Sequence, residues 1–403
     1  MASVRRQTTP TGSVFYQAVW NITGIDGKRK RFTKSFDKER DAKGHAAKME
    51  LEQERRGIND GGKKTFETFA NETLAHWRLK GEHAETTLDG YGFSLARLCR
   101  YIGHLQLSKI TAIHIDEAFA KLKAEGGIRY SKSKKDGEQR KAVPLSGRTL
   151  LHTHRAGQLV MKRAVAGKLI SENPFTQLAA PKVGRKKIKV MTEAEALKVY
   201  KLAEVASVKQ PGLDLIVALL LTCGMRRSEV LGLAFDAVDL DACTISIFRT
   251  VVQTAKGEPV FRDHRTKSES SERVISFPAE LAPAIRRHKA FISQLALEWG
   301  KGYQREPLLM FPYFGGTALP PGMLTTRLRQ LHRQAGVSGV APTHGFRHGM
   351  ASQMVASGDD VRTVADRLGH GTVAFTLSTY VHSVEGKDRK AAEKLGQHFL
   401  SKG

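Results

Sequence analysis

Cysteine is almost absent from this chain. Only Cys99, Cys223 and Cys243 occur in 403 residues, with no CxxC spacing among them. That scarcity argues against a disulfide framework or a thiolate zinc site and fits a reducing compartment. Long apolar runs are missing too. The longest, Leu213 to Leu221, contains Asp214 and is far too short to span a bilayer. The opening residues MASVRRQTTP lack the apolar core of a signal peptide. These absences predict a soluble, cytoplasmic protein. There is no HExxH, no GxxxxGK[ST] phosphate loop, no internal repeat and no low-complexity tract. Acidic residues are the other deficit: 40 Asp and Glu face 65 Lys and Arg, for a net charge of +25.

The basic surplus favours a polyanionic partner, because each phosphate met by Lys or Arg releases condensed counterions. Nucleic acid is the first reading; a ribosomal or acidic-membrane surface is the other that charge alone permits. The length suits two or three domains, and 40% hydrophobic residues are enough for sizeable cores.

Along the chain, Val14 to Trp20 is rich in aromatic and β-branched residues. Asp26-Gly27 is a hairpin signal, and Lys28 to Phe32 resumes a strand. Good helix formers run from Asp37 to Arg56 and stop at Gly57, ahead of a Gly61-Gly62 linker. From Thr65 to about Lys189 the spacing of Phe66, Phe69, Leu74, Trp77, Tyr91, Leu95 and Leu98 predicts helices. The polar, basic stretch Gly126 to Val143 reads as a flexible insertion or hairpin, and a helix follows from about Leu145 to Ala166. Lys182, Arg185, Lys186, Lys187 and Lys189 mark a basic linker, read either as a solvated tether or as a DNA-backbone contact. Thr192 to Glu195 is a capping box. Thr244–Val252, Val260–Lys267 and Arg273–Phe277 read as three strands, and the remainder as helices broken by Pro and Gly.

Five elements of the last unit carry candidate chemistry. Arg226 in Gly224-Met225-Arg226-Arg227-Ser228-Glu229 follows an apolar helix that holds it, with Glu229 placed to orient it. Lys267 sits at the edge of a predicted strand pair. In Thr343-His344-Gly345-Phe346-Arg347-His348, capping by Thr343 puts His344 and Arg347 one turn apart at a helix N-terminus, which suits phosphate. His344 and His348 at i and i+4 also raise zinc, but no carboxylate or cysteine stands near to complete a set. His370 follows a helix-ending Gly369, and Tyr380 closes the series. Singly, each is ordinary: a paired surface arginine, a solvated lysine, a packing tyrosine. Together, arginines and histidines can clamp the non-bridging oxygens of a phosphodiester, a lysine can protonate a leaving oxygen, and a tyrosine can attack phosphorus. A phenol of ordinary pKa about 10 needs such a cationic site to act near neutrality.

The order Arg226, Lys267, His344, Arg347, His370, Tyr380 resembles the catalytic set of the tyrosine recombinase (phage integrase) family. TCGMRRSEVLGL resembles that family's first arginine box, TKSESSERVISFP its lysine-bearing hairpin, THGFRH its His-x-x-Arg box, and LGHGTVAFTLSTYVHS its closing segment. The spacing of these boxes selects Arg226 over Arg227 and Lys267 over Lys256. Gly345 and Phe346 depart from the acidic or small residue and leucine more usual there, without shifting His344 or Arg347.

The resemblance implies a mixed α/β, mainly α protein. Its parts are a small three-stranded arm-type DNA-binding domain (residues 1–60), a helical core-binding domain (65–180), and an α-rich catalytic domain with a small antiparallel sheet (190–403). It implies Tyr380 as nucleophile, a 3′-phosphotyrosyl intermediate, and no metal or other cofactor. Its partners are double-stranded DNA at arm-type and core-type sites and a homotetramer on DNA, with a directionality factor and a DNA-bending host protein as accessories. Two rivals are a type IB topoisomerase, sharing the chemistry, and a non-catalytic DNA-binding regulator.

Overall fold

The computed structural model describes residues 3–8, 14–23, 29–55, 64–128, 142–184, 189–255, 257–263, 272–369 and 372–374. The chain divides into two compact units, Met1–Arg185 and Lys186–Gly403. The boundary falls inside the basic linker. The fold is mainly helical with small antiparallel sheets.

The first unit opens with a three-stranded sheet of β1 (Ser3–Thr8), β2 (Val14–Thr23) and β3 (Arg29–Phe36), in that order. Registers run from Ser3 opposite Val19 and from Tyr16 opposite Phe36. Helix α1 (Glu39–Arg55) packs against it. Ala18 and Ala42, both fully buried, let helix and sheet approach closely. His45 meets Trp20 edge-on at 5.3 Å, and Trp20 stacks on Phe32 across the strands. The expected hairpin turn at Asp26-Gly27 lies outside the described residues.

Four helices follow: α2 (Phe66–Lys80), α3 (Glu85–Ile102), α4 (Ala112–Glu125) and α5 (Gly147–Ala166). Thr65, Thr111 and Ser146 cap three of them with side-chain oxygens. Their apolar faces meet in one core around Phe66, Leu88, Leu98, Ile115, Met161 and Phe175. Gly157 lets α5 close on Phe175 and Leu98; a Cβ there would collide with both side chains. The insertion expected between α4 and α5 begins and ends as a hairpin, with β4 (Gly127–Ile128) paired to β5 (Ala142–Val143). Its middle is outside the described residues.

The second unit begins at α6 (Glu193–Ser207), where the Thr192–Glu195 capping box forms as read. Helix α7 (Leu213–Cys223) is apolar around most of its circumference because it is central: α6, α8 (Arg227–Leu231) and α11 (His344–Ser357) all pack on it. The strands correct one expectation. Thr244–Val252 is not a single strand. It divides at Phe248 into β7 (Thr244–Ile247), which lies between β6 (Val238–Asp239) and β10 (Arg273–Ser276), and β8 (Arg249–Gln253), which pairs with β9 (Pro259–Asp263). Residues 245, 247, 249 and 251 are all buried, so the in–out alternation passes through the break unaltered and only the pairing partner changes. Helices α9 (Ala282–Trp299), α10 (Pro321–Ala335) and α12 (Val361–Leu368) complete the unit. None of the described helices is long and apolar enough to cross a membrane.

Candidate active site

Three chain ends converge beside β10: the C-terminus of α7 with the start of α8, the start of α11, and the end of α12. Gly224 terminates α7 in the left-handed region (φ +59°), which turns the chain so that Arg226 stands at the entry to α8. Arg226 is then fixed from two sides. Its Nη1 donates to Glu229 Oε1 at 2.6 Å, and its Nη2 donates to the Gly369 carbonyl at 2.9 Å. The backbone N–H of Arg226 donates to Glu229 Oε2 at 2.7 Å.

Glu229 is only 4% exposed and serves a second guanidinium as well. Arg273, on β10, donates through Nη1 and Nη2 to the two carboxylate oxygens at 3.1 and 2.8 Å, and through Nε to the Arg367 carbonyl at 3.1 Å. Burial by itself raises the Glu229 pKa. The hydrogen bonds and charge of Arg273, the charge of Arg226 and the Arg226 N–H outweigh it, so the carboxyl is held below its ordinary range.

Arg347 is 4% exposed. Its Nη1 donates to the Gly224 carbonyl at 2.8 Å, and its Nη2 donates to the Leu368 carbonyl. These two carbonyl acceptors fix the direction of the Arg347 guanidinium. Arg367 ties the same elements together, donating through Nη2 to the Thr222 and Ser276 carbonyls at 3.0 and 2.9 Å. His344 is the first residue of α11, one turn from Arg347, as expected. The expected cap differs: Thr343 makes no side-chain cap bond, and the Gly345 N–H donates instead to the Ala341 carbonyl at 2.8 Å. His344 as a residue is exposed, yet its ring titrates low. Partial burial is the first cause, followed by the charges of Arg347, Arg227 and Arg226. His348, with its ring centroid 6.4 Å away, is lowered by burial, then by His344 and Arg347.

Of the six candidates, the structure brings Arg226, His344 and Arg347 to one place. Lys267, His370 and Tyr380 lie outside the described residues. In sequence, His370 directly follows Gly369, whose carbonyl holds Arg226, and Lys267 lies between β9 and β10, six positions before Arg273. The roles of Arg273 and Arg367 were not read from sequence. Arg273 did carry a signal, as the last residue of the Lys-Ser-x-x-Ser-x-Arg spacing, whereas Arg367 carried none.

Such a site offers oriented positive charge for the non-bridging oxygens of a phosphate, balanced by a single buried carboxylate among the described residues. The model of the phage integrase family matches residues 189–387, the stretch that holds every one of these side chains. Residues 189–387 belong to the phage integrase family. Among curated proteins, this chain is 24% identical over 246 residues to a XerC-like tyrosine recombinase of Caldanaerobacter subterraneus subsp. tengcongensis, covering 59% of this chain and 63% of that one. It is 23% identical over 240 residues to the ICEBs1 integrase of Bacillus subtilis, covering 59% and 62%. The chain therefore spans slightly under two-thirds of the length of these relatives. In fold it is similar to the Tn1549 transposon integrase in complex with a circular intermediate DNA, with TM-score 0.62 and 18% identity over 82% of this chain and 99% of that one. It is also similar to a lambda integrase dimer bound to a core site, with TM-score 0.56 and 14% identity over 93% and 94%.

Proposed function

We propose that this chain is a site-specific DNA recombinase, an integrase that inserts or excises a mobile element through a 3′-phosphotyrosyl intermediate. One observation carries the reading above the rest. Arg226 and Arg347 are held by acceptors that fix their direction, beside His344, with the Glu229 carboxylate paired to Arg226.

In the proposed reaction, Tyr380 Oη attacks the scissile phosphorus and the 5′ oxygen leaves, taking a proton from Lys267. Arg226, Arg347, His344 and His370 stabilise the charge of the pentavalent state. The 5′ hydroxyl of a partner strand then attacks the phosphotyrosine and releases Tyr380. The phosphodiester energy is kept in the protein–DNA bond, so the reaction needs no ATP, and no step of the scheme requires a metal. The proposed organisation is an arm-type DNA-binding domain at 1–60, a core-binding domain at 65–180 and the catalytic domain at 190–403. The proposed assembly is a homotetramer on paired DNA sites in the cytoplasm of a prokaryotic cell, assisted by a directionality factor and a DNA-bending protein. The neighbours solved with circular intermediate DNA and with transposon right end DNA, and the lambda integrase tetramer on a Holliday junction, support this reading.

Covalent trapping tests it, with nicked duplexes tiled from the DNA flanking the protein's own gene. A denaturation-resistant adduct whose labelled peptide contains Tyr380 is the expected result. Relaxation of plasmids without site preference points instead to a topoisomerase. Tight, salt-sensitive binding that never yields an adduct on any duplex points to a non-catalytic DNA-binding protein.

A further inference from the structure

The sequence doubles the arginine in the first box, and the reaction above uses only Arg226. Its neighbour Arg227, the first residue of α8, has a placement of its own. Its Nη1 donates to Thr325 Oγ1 at 2.6 Å and lies 3.4 Å from the Pro321 carbonyl, both on α10. Thr325 donates its hydroxyl hydrogen to the Pro321 carbonyl at 3.0 Å, so its lone pairs face Arg227 and the guanidinium is held at one end. The residue is half-buried, and no carboxylate pairs with it among the described residues. Arg226 and Arg273 share Glu229, and Arg249 has Asp236 and Asp263.

A half-buried guanidinium that finds acceptors among the described residues on one nitrogen alone is a costly arrangement. Burial already pulls the Arg227 pKa below its ordinary value, and its charge is felt at the His344 ring. Burial of the charge disfavours the free protein, and an anion approaching Nε and Nη2 relieves that cost. A planar fork anchored at one end and open along the other edge suits a phosphate.

We infer that Arg227 binds a DNA backbone phosphate next to the one held by Arg226 and Arg347, with Thr325 fixing its direction. This inference rests on the recombinase reading, which takes DNA as the ligand and places the scissile phosphate at Arg226 and Arg347. It makes Arg227 a binding residue that carries no base-sequence information and sets the register of the scissile phosphate against the site.

The test uses the full chain and the flanking-DNA duplexes. Losing one phosphate contact reduces the slope of log K against log salt concentration by about 0.9. Arg227→Gln is expected to show that reduction while its melting temperature stays within a degree or two of wild type. In a methylphosphonate scan, wild type is expected to lose affinity on neutralisation of one phosphate beside the scissile one, and Arg227→Gln to be indifferent at that position. An unchanged salt slope overturns the inference. So does a lowered melting temperature with the slope unchanged, the signature of a mere staple between α8 and α10. Should Arg227→Gln fail to fold, phenylglyoxal labelling of wild type decides: protection of Arg227 by the duplex is expected, and equal labelling with and without DNA overturns the inference. These are binding measurements, so they stay informative if the adduct assay fails. Adduct formation with an unaltered salt slope in Arg227→Gln removes the role of Arg227 alone.

Discussion

Glu229→Gln is the most direct test of how the site is held together. The carboxylate is 4% exposed and bridges two guanidiniums, Arg273 at 12% and Arg226 at 37% exposure. Removing the charge while keeping the shape leaves Arg273 buried and uncompensated, whereas Arg226 is open enough for solvent to screen most of its share. Breaking a buried ion pair from one side costs about 3–5 kcal/mol, and the screened Arg226 leg argues for the lower end, about 3 kcal/mol. For a unit of roughly 200 residues that corresponds to a melting-temperature drop of about 6–12 °C. Calorimetry at neutral pH reads it directly. The double variant Glu229→Leu with Arg273→Met removes both charges and is expected to lose less than Glu229→Gln alone. The pH dependence supplies an internal check. The folded pKa of Glu229 is depressed, so its contribution is full above the ordinary glutamate value and is lost as pH falls through the folded one. Glu229→Gln should therefore flatten the acid limb of the stability curve. A loss below about 1 kcal/mol, or an acid limb identical to wild type, refutes the view that this carboxylate is the keystone.

Three further outcomes are expected, the first from the proposed reaction and the other two from the structure. Tyr380→Phe should abolish the covalent adduct and leave salt-sensitive DNA binding intact; residual cleavage removes Tyr380 as nucleophile. Gly369→Ala places a Cβ 2.9 Å from Arg273 Nη1 at φ +63°, whereas Gly358→Ala has φ +97° and open space around it. Both should lose about 1–2 kcal/mol to backbone strain, but only Gly369→Ala should also slow adduct formation, so equal kinetics in the two variants count against the Arg273 contact. Burial depresses His332, His288 and His348. Their neutral forms favour the fold, so stability is full above about pH 6.5 and falls as pH drops below it; thermal melts from pH 8 to 5 that stay flat contradict this.

Much of the fold could be read from local chemistry. The Thr192–Glu195 box starts α6 because both reciprocal bonds depend only on residues three apart. The end of α7 at Gly224 was legible because a left-handed turn favours glycine. The β7–β8 break was not legible: alternation reports which face is buried, and it continues through Phe248 while the strand changes partners. The absence of a Thr343 cap was equally hidden, since the dipeptide suits a cap and only the neighbouring Ala341 carbonyl diverts the Gly345 N–H.

The site divides along the same line. Sequence alone determined the residue types and their order, and the resemblance of that order to a family pattern is what selected Arg226 over Arg227 as the candidate. It also determined the basic surplus that calls for a polyanion. Tertiary structure decided what each cation is tied to. Arg226 and Arg227 are adjacent and chemically identical, yet one is tied to Glu229 and the Gly369 carbonyl and the other to Thr325 on α10. Arg273 became the partner of Glu229 only because β10 runs beside β7, which brings residues 44 apart in the chain to 2.8 Å. Electrostatic energy depends on distance in space, and separation along the chain does not report it.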